Sequence, residues 1–594
     1  MDKNSFGKKV LLILPIVAIL LVAVLMFIRA FYGFDWSDES YNLALPYRFL
    51  LGDRPFVNSW DADQISAILM VPVLWLYRCV TGSMDGILLF TRILFVLVQT
   101  AVALAVYNVI FKLYENRIVA LFTSLICLSF VPYSMPNFSY YTISSLLMIV
   151  TAVFFLFLYT TENPTKLSAL AISAGVAYAF ACLAQLCCIA VLPFFLLLLA
   201  AVKPYEKQQE SSSKTMRPLL FFLCGYLTVL LLVCGFLLIT VGIDGISKNI
   251  SVLFYNPDDK PIPLANKISF FIREYYNLVA LALLQIFMLA ILFLCRYIKT
   301  DVTVNAIFTF LVRIFMPFCI VYNIIVILIQ PEKALPLPSK INQIQICAGL
   351  WPLVLFVNKP ARKNAVLMLT LYIPANILCV AFYLSSSNGI TGACCALTLA
   401  VMSACPMIYE YYKPWIQTLK KKSGKKYLAP LLQSALAILA AFVIGSNVVL
   451  RTQTVFHDSP LAKLTAQIQV GPAKGLYTTP SSAANYAGIV ADIRASVPKD
   501  SKVLFSGLLP FGYLCIDQTA ATPTFWRTQL TGSKLASYFA DNPADRPTFV
   551  YIVKKQYGSQ NSGNGPNTAA VQKIMGQKVT LKETKYAYQY TISE

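Results

Sequence analysis

Runs of about 18 or more apolar residues recur from Leu11 to Leu450, and each is long enough to cross a hydrocarbon core as a helix. Inside lipid every backbone N–H and C=O must find its partner within its own segment, which is why such runs are helical. The rest of the composition agrees. Of 594 residues, 58% are hydrophobic and only 13% charged, and the mean hydropathy is +0.67. These values exclude a soluble globular chain of this length. The formal charge of +21 would point to nucleic acid in a soluble protein. Here the Lys and Arg lie mainly in short loops between apolar runs, where they set orientation and meet anionic lipid. No nucleic-acid partner is expected.

The first run, 10–31, follows Lys3, Lys8 and Lys9. It is too long for a signal-peptide core, and no small-residue cleavage site follows it. It reads as a retained first span with a cytoplasmic N-terminus. The segment 65–80 is short, with Pro72 inside and Arg78 near its end. If it does not cross, the later basic loops, from Lys112/Arg117 to the Lys-rich stretch 413–426, all fall on the cytoplasmic side; if it crosses, they all fall outside. The basic-loop rule selects the first arrangement. The segment is then interfacial or re-entrant, and about 13 helices span. The loop 32–85 and the C-terminal tail face outward, in a multi-pass protein of the plasma membrane.

Most cysteines, such as Cys182, Cys188 and Cys394, sit inside apolar runs as small hydrophobes. No CxxC pair or metal-ligand spacing occurs. The only histidine, His457, just past the last run, reads as a surface residue. From residue 451 the composition becomes ordinary. Helical spacing over 483–496 and 567–575, with strand patterns at 502–505, 548–553 and 578–592, predicts a soluble α/β domain over 451–594. The stretch Gly471–Gly475 reads as a turn. The membrane part is 1–450.

The chemistry gathers in 34–92. Asp35, Asp38, Glu39, Asp61 and Asp63 are interleaved there with Trp36, Tyr41, Tyr47 and Trp60. Asp38 and Glu39 come only a few residues after the first span, so they sit at its outer boundary. A carboxylate walled by aromatics has its pKa raised and suits a general base. The same stretch, Ser37-Asp38-Glu39, also reads as a helix cap and first turn. Asp61 and Asp63 are weak candidates for a divalent cation and stronger ones for capping. Arg92, a few residues into the next span, needs an anion or an interface. A lipid phosphate is one partner and headgroup contact the other. Lys267 and Arg273, beside Tyr275 and Tyr276, form a second basic-aromatic group. Lys333 and Lys340 flank a Pro-rich loop.

Several motifs stand in a fixed order: Asp38-Glu39 with Tyr41 after it, LLGDRPF (50–56), a Pro-containing short helix, and TRILF (91–95) opening the second span. In this order, and in its topology, the chain resembles the GT-C superfamily of integral membrane glycosyltransferases. The likeness is to protein O-mannosyltransferases and bacterial aminoarabinose transferases of lipid A. The tail stretch from GPAKGLYTTP to KVLFSGLLPFGYL is similar to tails of bacterial members. The resemblance implies a GT-C-like fold of about 13 transmembrane helices with an extracytoplasmic α/β domain. It implies a polyprenyl-phosphate- or polyprenyl-diphosphate-linked sugar donor, and a glycan, lipid or protein acceptor. No cofactor is required by it, and a divalent cation is compatible with it. Asp38 with Glu39 would be catalytic, and Arg92, Lys267, Arg273, Tyr41 and Tyr141 would meet donor or lipid phosphate. Many relatives carry a further acid in the second outward loop; here 131–140 has none, and Asn137, Tyr140 and Tyr141 stand in that region.

A polymerase or ligase of lipid-linked glycans would use related chemistry with different loops. A transporter or flippase would show broken helices and buried charge at mid-membrane depth. The spans here are mostly clean, and their polar residues gather at the outer edge, which favours surface chemistry.

Overall fold

The computed structural model describes residues 3–161, 163–201, 217–254, 262–298, 301–331, 337–357, 361–385, 389–421, 427–453, 455, 457–557 and 565–593. Lys333 lies outside them. The membrane part opens with α1 (Lys3–Ala30), α2 (Asp38–Leu50), α3 (Gln64–Thr81), α4 (Ile87–Tyr114), α5 (Arg117–Ser129), α6 (Tyr140–Thr160), α7 (Pro164–Ala184) and α8 (Leu192–Ala201). It continues with α9 (Arg217–Thr240), α10 (Gly242–Asn249), α11 (Leu264–Val279), α12 (Leu283–Tyr297), α13 (Val302–Ile329), α14 (Leu337–Gly349), α15 (Arg362–Ser385), α16 (Cys394–Lys421) and α17 (Leu428–Gln453).

Among the described residues, ten helices are long and apolar enough to span a membrane, α3 among them by length and composition. The sequence reading gave about 13. The difference is physical: α5, α8 with the turn before it, and α12 are apolar but fall short of a full span. The run 341–357 divides into α14 and a 3-10 stretch, Trp351–Val357.

Three helices end at one boundary, and buried arginines finish them. The last carbonyls of a helix have no partner within it, and its C-terminus favours a cation. Arg29 donates from Nε to the Arg451 carbonyl (3.0 Å) and from Nη1 to that of Tyr32 (2.6 Å). Arg92 Nη1 reaches the Ala30 carbonyl at 2.9 Å. Arg451 Nη1 donates to the carbonyls of Ser129 (2.8 Å) and Leu128 (3.4 Å). The C-terminal ends of α1, α5 and α17 are thus pinned together by side chains from α1, α4 and α17.

The tail holds α18 (Pro480–Ser496), α19 (Pro510–Leu514), α20 (Ser533–Asp541) and α21 (Thr568–Met575). Its strands are β1 (Ala466–Gln467), β2 (Tyr477–Thr478), β3 (Lys502–Ser506), β4 (Thr519–Ala520), β5 (Phe549–Val553), β6 (Val579–Glu583) and β7 (Ala587–Ile592). The main sheet runs β4-β3-β5-β7-β6. Strands β3, β4 and β5 are parallel, and the hairpin β6–β7 joins antiparallel to β5. β5 is buried at every position, as expected of a strand covered on both faces.

This domain does not stand apart. Phe34, Tyr41, Ala44, Tyr47 and Leu88 share one apolar cluster with Ile468, Tyr486, Val503, Phe511 and Tyr551. Both ends of α3 are attached to the tail. Before its start, Trp60 N donates to the Pro523 carbonyl at 2.7 Å. Near its end, Arg78 pairs with Asp517 at 2.9 Å. The turn at Gly471–Gly475 docks on the start of α4, with Gly86 N donating to the Gly471 carbonyl at 3.0 Å and Leu88 N to that of Pro472 at 3.2 Å. Gly475 has φ +94, and a Cβ there would collide with Leu89 at 2.7 Å, so only glycine fits the contact.

Candidate active site

The helix α2 starts at Asp38, and its cap differs from the one expected. The Ser37 side chain makes no cap hydrogen bond. Asp35 does that work: its carboxylate accepts from Glu39 N at 2.9 Å, from Ser37 N at 3.1 Å and from Ser37 Oγ at 2.9 Å. Successive residues on a helix point about 100° apart, so the cap sends Asp38 and Glu39 in different directions.

Glu39 goes inward and is 1% exposed. It accepts two parallel bonds from Arg92, from Nε and Nη2, both at 2.5 Å. This is the bidentate geometry that makes guanidinium–carboxylate pairs strong. Asn137 Nδ2 adds a third at 2.6 Å. Arg92 spends its remaining reach on the carbonyls of Ala30 and Tyr32. Arg92, expected at a lipid phosphate or headgroup, thus instead has its guanidinium shared between a buried acid and helix-end carbonyls. Glu39, expected beside Asp38 as a catalytic acid, is its fixed partner. Asn137 stands where an acid was missing and serves that pair.

Asp38 points the other way and is about a quarter exposed. Burial, then the neighbouring charge of Asp35, push its carboxyl up to about 7, against a smaller opposing pull from His457. His457 is the residue that sequence reasoning set aside as surface. Its Nδ1 lies 3.0 Å from Asp35 Oδ1 and 3.8 Å from Asp38 Oδ2. Burial works to lower its pKa, but the Asp35 hydrogen bond and the charges of Asp35 and Asp38 outweigh that and raise it. Asp35 is held below the usual carboxylate range: burial opposes this, and the bonds from His457, Glu39 N and Ser37 N prevail. Nothing local in the sequence signals His457, which comes 422 residues after Asp35.

Ligand atoms of Asp35, Asp38 and His457 lie within 4.8 Å of one another, close enough to hold a divalent cation. Asp61 and Asp63, the weaker metal candidates, serve separate ends. Asp61 is buried and accepts from Thr524 Oγ1 (2.6 Å), Phe525 N (3.2 Å) and Lys534 Nζ (3.4 Å), which clamps the tail loop 522–528. Asp63 contacts the Tyr41 hydroxyl at 3.5 Å; burial, then the Asp61 charge, push it up to about 7. Removing Asp61 takes away the buried acceptor that Thr524 Oγ1, Phe525 N and Lys534 Nζ share. Asp61→Ala is expected to cost about 3 kcal/mol, read as a lower unfolding temperature and faster proteolytic release of the tail. An unchanged melting curve would contradict that clamp.

A cleft lined by Tyr41, Asn42, Asp63, Ser66, Ser139 and Tyr140 runs beside α2, and Asn42 Nδ2 bonds the Asp38 carbonyl at 2.7 Å. Trp526 of the tail packs edge-on to Tyr41, with ring centroids 5.5 Å apart. Tyr141 touches Phe382 at the end of α15, and the neighbouring Tyr383 meets Phe271 of α11. Lys267 donates to the Leu384 carbonyl at 3.0 Å, and Arg273 stacks over Phe270. These contacts link Lys267 on α11 to the end of α15, which Tyr141 at the start of α6 also touches; none of them joins Lys267 or Arg273 to Asp38. Lys340 is buried and donates to the Gln330 carbonyl at 2.7 Å.

No protein-family model matches the chain, and no curated protein matches it in sequence. Solved structures do resemble it. One is the oligosaccharyltransferase of Archaeoglobus fulgidus, tethered to an acceptor peptide containing an NVT sequon. It is 8% identical with a TM-score of 0.43, over 98% of this chain and 74% of that one. Another is ArnT of Cupriavidus metallidurans bound to undecaprenyl phosphate. It is 10% identical with a TM-score of 0.46, over 98% of each chain. Both are GT-C superfamily membrane glycosyltransferases, the superfamily that the sequence resembles. At these values the likeness is one of overall chain course.

Proposed function

We propose that the chain transfers a sugar from a polyprenyl-phosphate- or polyprenyl-diphosphate-linked donor to an acceptor at the outer membrane face, with Asp38 as general base. The observation that carries this reading is the division of labour within α2. Asp35 is spent on the cap and Glu39 on Arg92, while Asp38, between them, stays partly exposed with its pKa near neutrality, next to Tyr41 and Asn42 of the cleft. A base of that pKa takes a proton most effectively near pH 7. In the step, Asp38 accepts the proton of the acceptor O–H or N–H as that atom bonds to the anomeric carbon. The bond from the anomeric carbon to the phosphate oxygen breaks, and the pair leaves with the lipid phosphate, inverting the carbon. Arg92 acts indirectly by fixing Glu39 and hence the turn that aims Asp38. Lys267 and Arg273 on α11 are the cations assigned to the leaving phosphate.

The outward siding rests on attachment. Both ends of α3 bind the same sheet domain, which supports an α3 that lies along that domain and not across the bilayer. With α3 lying at the interface, the basic loops fall on the cytoplasmic side, as the basic-loop rule requires.

The pH dependence follows with a definite sign. A base must be unprotonated, so transfer is present above the Asp38 pKa and lost as pH falls through about 7. The rate should drop about tenfold per pH unit below that point. Initial rates with a labelled polyprenyl-linked sugar in membranes, taken between pH 5 and 9, give the profile. A rate flat down to pH 5 would remove a base of this kind.

A further inference from the structure

The far end of the bundle holds a cavity that the site does not use. It has a volume of about 330 Å³ and lies among α5, α13, α14, α16 and α17. Its walls are apolar, with Phe122, Ile320, Val401, Ile408, Leu439 and Val443 among them. Its place along the bundle is fixed by the two helices that frame it. α5 lines it from Ile118 to Ile126, and α17 from Pro430 to Val443. The opposite ends of those helices, Ser129 and Arg451, meet at the boundary near Glu39 and Arg92. The cavity therefore opens at the membrane boundary opposite the one that holds Glu39 and Arg92.

Its mouth is exposed. Ile118, Pro430 and Ser434 are solvent- or lipid-facing, while Val119, Val401 and Leu439 are buried. The opening is thus a lateral gap between the first turns of α5 and α17. A polar rim of Asn116, Gln433, Ser434 and Tyr409 stands beside it. Arg117 begins α5, and Lys420 and Lys421 end α16 at the same boundary. Inside, Trp351 lines the wall at 1% exposure, and its Nε1 has no hydrogen-bond partner. A buried donor left unpaired is costly, so this one calls for an acceptor.

We infer that this cavity binds one glycerophospholipid with an anionic headgroup, drawn from the leaflet opposite the active site. The chemistry matches in three parts. An apolar protein cavity of about 150 Å³ stays dry and takes up benzene; one about twice that size accommodates roughly a dozen carbons of an acyl chain. Residues 430 to 443 extend about 20 Å along α17, a length suited to a chain and not to a compact solute. The cations Arg117, Lys420 and Lys421 suit an anionic headgroup at the interface, and an acyl ester carbonyl supplies the acceptor for Trp351 Nε1.

The test uses the full chain, purified in mild detergent and reconstituted with phosphatidylglycerol or with phosphatidylcholine. Native mass spectrometry should show one phosphatidylglycerol retained per chain, at least tenfold more than phosphatidylcholine. Phosphatidylglycerol should also raise the unfolding temperature. Ala440→Trp, which fills the cavity, should abolish both effects and keep the melting temperature of the lipid-free protein; Ala404→Phe is the second filling variant if the first fails to fold. Retention unchanged in the filled variants overturns the inference. So does equal retention of the two lipids, a polyprenyl phosphate as the bound species, or no bound lipid. Each result is independent of whether Asp38 is a base.

Discussion

Asp38→Asn is expected to lower sugar transfer by 10²- to 10⁴-fold, the range a positioned general base contributes, with expression and melting temperature unchanged. The two halves of that expectation come from one geometry. The Asp38 carboxylate is partly exposed and lies 3.8 Å from His457 Nδ1, so an amide in its place leaves no buried group abandoned. The variant keeps the shape and loses the proton acceptor. Supplying membranes with a labelled polyprenyl-linked sugar and comparing both proteins at matched expression decides the matter. Transfer by the Asn form at the normal rate would take Asp38 out of the mechanism, and with it the reading of the cleft. Asp63→Asn is the informative comparison, since Asp63 is pushed to a similar pKa yet begins a different helix. If the loss of rate below neutrality follows Asp63 and not Asp38, the base has been misassigned.

Arg92→Met is expected to destabilise the protein by about 3–5 kcal/mol, because it strands the Glu39 carboxylate in a buried site. Glu39 is 1% exposed and Arg92 3%, and they are joined by two bonds at 2.5 Å. Glu39→Gln should cost less, since Arg92 keeps its bonds to the Ala30 and Tyr32 carbonyls. The double variant Glu39→Leu/Arg92→Met should recover much of the loss, as buried ion pairs replaced by apolar residues of similar size commonly do. Thermal unfolding in detergent reads all three. A single Arg92→Met that melts with the unmodified protein would mean that the pair does not hold the loop. This experiment also separates two roles for Arg92. A residue binding lipid phosphate would alter donor KM and leave stability alone, whereas a residue holding Glu39 alters stability first.

The spans were legible in the sequence because hydropathy is a local property summed over some twenty residues. The short elements α5 and α12 were counted as full spans because composition marks an apolar helix but sets its length only loosely. In the tail, 502–505, 548–553 and 578–592 were readable as strands, since alternation and continuous apolar runs are also local. The site divided differently. Asp38 and Glu39 looked equivalent as adjacent acids, and only the helix start capped by Asp35 sends them to opposite environments. Arg92 was visible as a cation near a span end, but its anion could have come from lipid or from protein. Asn137 was noted as an absence of acid, and its amide turned out to satisfy Glu39. His457 was dismissed because an isolated histidine after a span has no local partner, and its partner Asp35 is 422 residues away.

By itself the sequence determined that this chain is a bundle of membrane helices with a basic, sheet-forming tail, and that its acids cluster just past the first span. These follow from burial preference and periodicity, which each segment carries alone. Only the tertiary structure decided which acid is buried in an ion pair and which stays partly exposed, and that the tail packs against the acidic segment. Those assignments depend on which charges and carbonyls meet across hundreds of residues, and a carboxylate's proton affinity is set by that meeting and not by its neighbours in the chain.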